Sequence, residues 1–585
     1  MPLSTTPLAS PLPTTDLLSY IFAKPSYPST RPIFIDSLQP ETHFLTYDSS
    51  RHLVRLLIAG FQAQGLQPGD VVCVHSFNTI YYACIVLAVA GAGGIAVGTN
   101  PGYTPYELQH AFNLAKVKWV ITEKELVDGP VQALRGDDAA RKRVFVLEQL
   151  NTSSLANGEG SAQQNLVSTI TNAIVGSILP GPRSWTTLLT HGTADWICFD
   201  DAEKSRNTTA QYYFTSGTSG GLPKCAKISH ANLIAANELL YVAEYADAQI
   251  SGARSVDILV YAMPFFHMGV GPYIIVSPLS LGRQIYVMRR FELRPFLTYQ
   301  SRFQATELAL VPPMVVAIVM TGLADPASPN YDPACSLKSV QKAAIGAAPL
   351  SADLQGRLNR LLAEGAACRQ VWGMTETTAV VTVCSLETRA EASWGHVGVP
   401  LAGCTIKLAD EDGRDVTYSE RRGECCVKGP IIFPGYLDDE KATGATFDDE
   451  GYFKTGDVFE LREDGMLQVV DRVKELIKVR GFQVVPAELE GVLTEHAEIA
   501  DAAVIGLRGG DGDEQPKAFI VKQKGSKLKV DDVQDYMRPR LARYKQLTGG
   551  VEFVEALPKS PAGKILKRVL REQEERKRLS YASKL

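Results

Sequence analysis

The recurrence of short apolar runs between helical segments is the feature that most constrains the fold of this chain. Strand-like runs occur at 212–215, 259–263, 284–288, 307–311, 339–345 and 369–372. Strands that alternate with helices along a chain form parallel sheets, because each helix carries the chain back across the sheet. The sequence therefore predicts an α/β fold with a largely parallel sheet.

From about residue 396 to 470 the sequence changes to short strands joined by tight turns. Asp412-Gly413 and Asp464-Gly465 are the kind of pair that favours two-residue turns between antiparallel strands. This stretch predicts a small antiparallel β subdomain.

The residues beyond 474 predict a second compact unit. Helical patterns near 487–493 and 530–537 flank strand-like runs at 502–506 and 518–521. We therefore expect two domains: a large N-terminal domain of α/β sheets plus the β subdomain, residues 1–473, and a small mobile α+β C-terminal domain, residues 474–585.

Composition excludes several classes of protein. Of the 585 residues, 45% are hydrophobic and 21% are charged, a balance typical of globular rather than disordered chains. The formal net charge is -5, so a basic surface that binds nucleic acid is not expected. None of the ten cysteines forms a Cys-x-x-Cys pair, which favours buried thiols in a reducing compartment over disulfides or a zinc module.

The N-terminal sequence does not have the basic and apolar regions of a secretory signal, and residues 1–30, rich in Pro, Ser and Thr, are expected on the surface. The stretch 77–106 carries no charged residue and could suggest a membrane span. Because glycines interrupt it, we predict instead a buried helix, about 81–90, and a short strand at 95–97. No membrane span is expected.

The sequence ends with Ser583-Lys584-Leu585. A C-terminal Ser-Lys-Leu is the address for peroxisomal import and is recognised by a receptor. The expected location is therefore the peroxisome, with the import receptor as a partner. The charged helical run 568–578 before it is expected to leave the tripeptide exposed.

A loop dense in Gly, Ser and Thr carries the strongest chemical signal. It follows an aromatic strand, and Lys224 closes it. Glycines let backbone N–H groups approach an anion, hydroxyls add donors and lysine adds charge, so the loop predicts a polyphosphate cradle. The alternative is a polar surface loop; the P-loop motif is excluded, because no Ser or Thr follows Lys224. The cradle residues are Thr215, Ser216, Gly217, Thr218, Ser219, Gly220 and Lys224.

Other segments carry residues that could contact parts of a phosphate-containing ligand, each with a simpler structural alternative. Glu376, at the end of an apolar strand, needs a partner such as Mg²⁺ carrying phosphates. Asp457 can accept two ribose hydroxyls or simply cap a turn. The small residues 346–348 allow a flat group to lie against the backbone, or they start a helix. The run 471–483 is a charged connector of the kind that serves as a hinge, or else a solvated basic run.

These segments, in this order, resemble the adenylate-forming superfamily of acyl- and aryl-CoA synthetases, luciferases and peptide-synthetase adenylation domains. The resemblance is greatest to the 4-coumarate-CoA-ligase-like, peroxisomal fungal type, and it covers roughly residues 40–570. It rests on Thr-Ser-Gly-Thr-Ser-Gly…Pro-Lys at 215–224, Trp-Gly-Met-Thr-Glu at 372–376, Lys-Thr-Gly-Asp at 454–457 and Pro-Lys-Ser-Pro-Ala-Gly-Lys at 558–564. In the first motif one residue of 220–222 is extra, and Cys225 replaces the usual glycine.

The resemblance implies a role for each residue. Glu376 is the Mg²⁺ ligand, Thr375 contacts the α-phosphate of ATP, Lys564 is the catalytic lysine of adenylation, and Trp372, where the family usually has Tyr, packs on adenine. The resemblance also implies that Gly346, Ala347 and Ala348 border the pockets and that Asp457 and Arg472 contact the ribose or a phosphate. Lys478 and Gln483 would lie near the nucleotide, and Lys474 would be the hinge. Coenzyme A would enter at Arg480, Gly481 and Phe482.

The substrate pocket is indicated by the segment that contains His267. A lone histidine in an aromatic patch is more often a hydrogen-bonded core residue, but the resemblance places His267 among the catalytic residues, where it positions the acyl group. Residues 264–271 contain no carboxylate, which argues against an amino-acid substrate. Acetate-activating relatives carry Trp where this chain has Gly373, so the resemblance implies an acid larger than acetate.

The expected function is that of an ATP-dependent acyl- or aryl-CoA ligase. It would form an acyl-adenylate from a carboxylic acid with ATP and Mg²⁺ and pass the acyl group to coenzyme A, for a secondary-metabolite or β-oxidation pathway. Three alternatives stay open: a ligase that loads a carrier protein, a luciferase-like oxygenase, and an ATP-binding scaffold without catalysis.

Overall fold

Two β-sheets covered by helices make up most of the N-terminal part of the computed structural model. The structure describes residues 2–4, 8, 10–150, 152, 182–215, 224–251, 257–384, 394–472, 475–479, 482–508, 514–541, 543–559 and 565–582. The statements below concern these residues.

The first sheet has seven strands, and all neighbouring pairs are parallel except the last. In spatial order its strands are Ala367–Gln370, Lys342–Ile345, Glu307–Leu310, Ile258–Tyr261, Gln284–Val287, Pro32–Asp36 and Phe44–Thr46.

The second sheet has eight strands. In spatial order the first two pairs of neighbours are antiparallel, and the remaining pairs are parallel. In that order they are Gly435–Tyr436, Cys225–Ser229, Thr209–Phe214, Ile95–Gly98, Val71–His75, Val117–Glu123, Val144–Leu147 and Arg183–Ser184.

Helices fill the space between and around the sheets. The helix Tyr82–Gly91 is buried at every residue and lies in the core that side chains of both sheets share. The other longer helices described in this part are Tyr47–Ala63, Pro105–Ala115, His230–Ser251, Leu293–Arg302, Pro312–Thr321 and Ala352–Leu361. None of the described helices is long and apolar enough to cross a membrane.

The β subdomain is antiparallel, as the sequence predicts. Its five strands are, in spatial order, Leu3–Ser4, Thr405–Ala409, Arg422–Lys428, Phe453–Leu461 and Leu467–Arg472. Gly413 and Gly465 of the two Asp-Gly turns have φ of 83° and 84°, a left-handed conformation that glycine adopts without strain. A three-stranded antiparallel sheet, Trp372–Met374, Ala379–Val383 and Val399–Pro400, lies beside it.

The C-terminal part contains the predicted helices and strands. A hairpin, Ile477–Val479 with Phe482–Val484, precedes a sheet of Ile499–Arg508, Glu514–Lys522 and Gly550–Phe553, and the helices are Pro486–Thr494, Val530–Met537 and Lys567–Ala582. The boundary at 473–474 lies outside the described residues, so the division of the chain there stays a prediction.

The strand-like runs divide between two sheets, with the strand Thr209–Phe214 in the eight-stranded sheet and the others mainly in the seven-stranded sheet, which agrees with the predicted domain of α/β sheets. One expectation about the N-terminal part is wrong. The first 30 residues do not all lie on the surface, since Leu17, Leu18 and Ile21 of the helix Leu17–Ile21 are buried. A short amphipathic helix in a Pro-rich stretch gives too weak a periodicity to detect.

Burial of the cysteines agrees with the sequence. All ten thiols are free, and only Cys198 is exposed. Burial raises the pKa of Cys225 to about 12. This thiol is therefore an inert core group.

A buried lysine joins the elements of the C-terminal part. Lys567 is 7% exposed, and its Nζ lies 2.9 Å from Oε1 of Glu490 and 3.5 Å from Oε2 of Glu475. Burial alone would lower the pKa of Lys567, but Glu490, Asp471 and Glu475 raise it above its ordinary value. Burial raises the pKa of Asp471 to about 6, against the field of Lys567. One cation thus stabilises three carboxylates from different elements.

We predict that Lys567→Met destabilises this part of the molecule, because removing one partner of a buried ion pair costs about 3–5 kcal/mol. The loss should be largest at neutral pH and smaller below pH 6. Asp471 has a raised pKa, so above about pH 6 its charge is unfavourable in the folded state and is opposed by Lys567. Below that pH Asp471 is protonated, so less of the stability depends on Lys567.

Hydrogen exchange of the helix Pro486–Thr494 at pH 7.5 and pH 5 measures the effect. Lys577→Met is the matched control, because Lys577 is a half-exposed lysine of the same helix as Lys567. Equal losses in the two variants would contradict the prediction.

Candidate functional site

The predicted ribose-binding residues lie together at the end of the β subdomain. Pairing of Phe453–Leu461 with Leu467–Arg472 sets Asp457 opposite Arg472, whose Nε lies 3.1 Å from Oδ1 of the aspartate. The indole Nε1 of Trp372 donates a hydrogen bond to Oδ2 at 2.9 Å. Asp457 is only 5% exposed, so its charge depends on these two neighbours.

One oxygen of Asp457 is left without a hydrogen bond. The N–H of Arg472 is close to Oδ1 but does not point at it, and no other described residue donates to this buried atom. A buried carboxylate oxygen without a donor is costly. A ribose hydroxyl is a suitable donor, so this atom fits the predicted nucleotide.

Trp372 has a second contact that fixes its ring. It lies edge to face with Phe459, with 4.8 Å between ring centroids, and the side chain is buried. The predicted adenine contact is untested. The structure adds that the indole N–H orients Asp457, which the Phe or Leu side chains common in cores could not do.

A strained turn holds Glu376. The turn Thr375–Thr377 is followed by Thr378 and Ala379, with φ of 49° and 81°, a conformation that is unfavourable for residues other than glycine. The Thr378 hydroxyl donates to the carbonyl of Ile431 at 2.7 Å, and Phe433 N–H donates to the carbonyl of Glu376 at 2.9 Å. These bonds compensate for the strain and fix the direction of Glu376.

The carboxylate of Glu376 is 6% exposed and accepts a hydrogen bond from the Tyr436 hydroxyl at 2.8 Å. Burial raises its pKa, while the bond from Tyr436 and the charges of Arg472 and Lys224 oppose that rise. Burial and the neighbouring Glu376 raise the pKa of Tyr436, so its hydroxyl remains a donor. Glu376 is thus a buried acid surrounded by cations and a donor, which suits it to a bound cation.

The two ends of the predicted polyphosphate cradle are hydrogen-bonded to each other. Thr215 N–H donates to the carbonyl of Lys224 at 2.9 Å, and Lys224 N–H donates to Oγ1 of Thr215 at 3.2 Å. The side chain of Lys224 places its Nζ 4.7 Å from the ring centroid of Tyr436. Ser216, Gly217, Thr218, Ser219 and Gly220 lie outside the described residues.

The segment Gly346, Ala347, Ala348 lies beside the strand that leads to Trp372. A Cβ added to Gly346 would be 3.3 Å from Cγ2 of Val371, and Ala347 has φ of 72°. The close approach to Val371 favours a small residue at 346, and the role of this segment in a pocket stays a prediction.

The structure gives a different reason for Gly373 than the size of the acid. A Cβ added to this glycine would lie 1.5 Å from the carbonyl oxygen of Ala379, which is backbone and cannot yield. Glycine is required here by the close approach of two strands, whatever the length of the acid.

His267 is uncharged in this environment. Its ring lies 4.4 Å from that of Phe266, and burial lowers its pKa to about 4. Its Nε2 is buried and has no hydrogen-bond partner among the described residues. The space around Gly269, two residues on, is open. A neutral imidazole with a free nitrogen can position a polar group of a substrate.

The structure describes only some of the site residues predicted in the C-terminal part. Lys474, Arg480, Gly481 and Lys564 lie outside the described residues. Lys478 pairs with Gln483 across the hairpin, and Phe482 pairs with Val479, but their side chains are not described. This hairpin packs into the C-terminal core. The segment that carries Lys564 begins and ends at a β-bridge between Lys559 and Ile565.

The sequence did not reveal Tyr436. Nothing in Gly435-Tyr436 has a chemical signature, and only the pairing of this short strand with Cys225–Ser229 brings the tyrosine to Glu376. A long-range strand pair of two residues leaves no local pattern.

Comparison with protein families gives two matches. The family described as AMP-binding enzyme matches residues 23–437, and the AMP-binding enzyme C-terminal domain matches residues 488–564.

Several relatives are similar over nearly the whole chain. A phenylacetyl-CoA ligase, epaB, of Aspergillus niger is 37% identical over 97% of this chain and 98% of its own length. An acyl-CoA ligase, azaF, of Aspergillus niger is 38% identical over 96% and 98%. 4-Coumarate–CoA ligase 1 of Arabidopsis thaliana is 32% identical over 95% and 92%.

Among solved structures, ATP-bound MatB from Rhodopseudomonas palustris superimposes with a TM-score of 0.75 at 25% identity, covering 95% of this chain and 98% of its own. The o-succinylbenzoate CoA synthetase MenE from Bacillus subtilis, in complex with its acyl-adenylate, has a TM-score of 0.70 at 22% identity, covering 92% and 95%, and shows the same fold.

We predict that Trp372→Phe weakens ATP binding roughly ten- to a hundredfold, because a hydrogen bond to a charged group contributes about 1.5–3 kcal/mol. The loss should be smaller for 2′,3′-dideoxy-ATP, which has no ribose hydroxyls for Asp457 to accept. Calorimetric titration with both nucleotides measures this. Trp394→Phe is the control, since its indole N–H has no partner among the described residues. Equal loss for both nucleotides would show that Trp372 contributes through its ring alone.

Proposed function

We propose a catalytic scheme for this chain, which belongs to the AMP-binding enzyme family and is an ATP-dependent acyl-CoA ligase. One observation carries the scheme. Arg472 acts on both buried carboxylates, as the ion-pair partner of Asp457 and as a positive neighbour of Glu376. This supports placing the predicted ribose and phosphate contacts in a single site.

In the first step, the carboxylate of the acid attacks the α-phosphorus of ATP, and pyrophosphate leaves. Asp457 accepts the ribose hydroxyls, the 215–224 loop and Lys224 bind the phosphates, and Thr375 contacts the α-phosphate. Lys564 neutralises charge on the reacting oxygens, which is the largest kind of contribution in phosphoryl chemistry.

Mg²⁺ fits the site through Glu376. Glu376 would be a protein ligand of the ion, since its carboxylate is buried and has Lys224 and Arg472 as positive neighbours that can bind phosphate. Mg²⁺ commonly takes one carboxylate and completes its shell with phosphate oxygens and water. When bound, it neutralises phosphate charge and orients the leaving pyrophosphate.

In the second step, the thiolate of coenzyme A attacks the acyl carbonyl, and AMP leaves. The C-terminal domain would turn about Lys474, which withdraws Lys564 and brings Arg480, Gly481 and Phe482 to the entry of coenzyme A. A few residues of a connector can absorb such a rotation.

The acid is proposed to be larger than acetate and to be an aryl or extended acyl acid, which would enter a secondary-metabolite or β-oxidation pathway. The neutral His267 and the open space at Gly269 support an uncharged acyl pocket. The similarity to a phenylacetyl-CoA ligase, a nicotinic acid-CoA ligase and a 4-coumarate–CoA ligase supports an aryl acid.

Mass spectrometry of the purified protein tests the reaction. The protein is incubated with Mg²⁺ and ATP, with and without coenzyme A, and with medium-chain, long-chain, hydroxylated and aryl acids. AMP and an acyl-CoA formed together support the scheme and identify the acid. Acyl-AMP that never reaches coenzyme A would point to a carrier protein.

We predict that Lys564→Ala abolishes formation of the acyl-adenylate but retains thioester formation from a synthetic acyl-AMP, because Lys564 is needed only in the first step. Release of AMP measures each half-reaction separately. Lys559→Ala is the control, since Lys559 lies next to this segment and pairs with Asp501. Equal loss of both half-reactions in Lys564→Ala would contradict the two-conformation scheme.

We also propose that Ser583-Lys584-Leu585 directs the protein to the peroxisome through the import receptor. A fluorescent protein fused to the N-terminus of the full chain should collect in peroxisomes. Deletion of the three residues should leave it dispersed, and unchanged collection would contradict the proposal.

A further inference from the structure

Tyr436 lies between the two groups that the proposed function assigns to the metal and the phosphates. Its hydroxyl donates to Oε1 of Glu376 at 2.8 Å, and the Nζ of Lys224 lies 4.7 Å from its ring centroid. The described residues show no ion pair between Lys224 and Glu376. One side chain therefore contacts both charged groups and separates them.

The backbone is arranged to hold this ring. Tyr436 lies opposite Ala226, two residues after Lys224, in the antiparallel pair of short strands. Leu437 N–H donates to the carbonyl of Cys225 at 2.8 Å, which extends the pairing past the tyrosine. Lys224 directly precedes the strand Cys225–Ser229, and Tyr436 lies in the strand paired with it, so the backbone holds the two residues close together.

The residue before the tyrosine adopts a conformation that requires glycine. Gly435 has φ of 137°, and a Cβ there would lie 2.5 Å from Cγ2 of Thr443. The hydroxyl of Thr443 accepts the N–H of Tyr436 at 3.0 Å, and the Phe433 ring meets the Tyr436 ring edge to face at 4.9 Å. These contacts orient the Tyr436 ring so that its hydroxyl points towards Glu376.

The separation of Lys224 from Glu376 matters because an ion pair between them would compete with ligand binding. A buried carboxylate and a nearby ammonium attract each other strongly, and a direct pair would occupy the groups that must bind phosphate and metal. A tyrosine satisfies the carboxylate with a neutral donor and the cation with the face of an aromatic ring. Both interactions are weaker than an ion pair, so a metal-bound triphosphate can replace them.

We propose that Tyr436 is a positioning residue that keeps Glu376 and Lys224 apart and oriented for the metal-bound triphosphate. The proposal rests on the proposed function of the site. It assigns Tyr436 to the adenylation half-reaction and not to thioester formation, since pyrophosphate has left before coenzyme A reacts.

Two substitutions separate the two contacts of the tyrosine. Tyr436→Phe keeps the ring for Lys224 and removes the hydroxyl bond to Glu376, and Tyr436→Leu removes both. Tyr418→Phe is the matched control, because Tyr418 is 59% exposed and has no assigned role.

Calorimetric titration with ATP, in EDTA and in Mg²⁺, gives a readout that does not depend on turnover. In Tyr436→Phe the gain in ATP affinity that Mg²⁺ provides should fall about tenfold, while the affinity in EDTA stays that of the unsubstituted protein. In Tyr436→Leu the affinity in EDTA should fall as well, because Lys224 is then free to pair with Glu376.

A double-substitution cycle tests whether the effect passes through Glu376. Tyr436→Phe combined with Glu376→Gln should bind ATP and Mg²⁺ no more weakly than Glu376→Gln alone. Thioester formation from a synthetic acyl-AMP should be retained in Tyr436→Phe.

Several outcomes would overturn the proposal. These are an unchanged Mg²⁺ gain in Tyr436→Phe, additive losses in the double variant, or equal loss of both half-reactions. Failure of the proposed function would look different: the unsubstituted protein would form neither acyl-AMP nor acyl-CoA with any acid, whatever the tyrosine variants do in the binding assay.

Discussion

The arrangement of this site depends on placing two carboxyl groups where little water reaches them and giving each a hydrogen-bond donor. Asp457 and Glu376 are almost fully buried, and Arg472 is a positive neighbour of both. Burying an unpaired carboxylate is costly, so the neighbours that stabilise it must be held in place. The indole of Trp372 and the hydroxyl of Tyr436 each supply one donor and leave capacity for a ligand.

The fold supplies these neighbours from different sheets. Lys224 and Tyr436 come from the antiparallel edge of the eight-stranded sheet, Trp372 from the three-stranded sheet, and Asp457 and Arg472 from the β subdomain. Gly346 follows a strand of the seven-stranded sheet and approaches Val371. Each sheet carries only a short part of the site, and the chemistry exists only where their ends meet.

This construction explains what could be predicted from the sequence. Asp457 and Glu376 stand in local motifs, and the β–α order and the Asp-Gly turns are local patterns too, so the fold class and these residues were accessible. The bond from Trp372 to Asp457 joins residues 85 positions apart, and Tyr436 lies 60 positions from Glu376. Such pairs depend on how sheets pack, and no periodicity in one segment indicates them. The requirement for glycine at 373 has the same origin, since the obstacle is the backbone of another strand.

The buried cluster around Lys567 connects this site to the proposed movement of the C-terminal domain. Lys567 follows Lys564 by three residues, and its direct partners, Glu475 and Glu490, lie beyond the proposed hinge at 474. Asp471 is the member of the cluster that lies before the hinge, and Ala487 N–H donates to its Oδ2 at 3.3 Å. A rotation at 474 would leave the pairs of Lys567 intact and would separate Asp471 from them. The cost of that separation falls on a carboxyl group whose pKa of about 6 lets it take up a proton easily, so the proposed rotation would not leave a permanent buried charge.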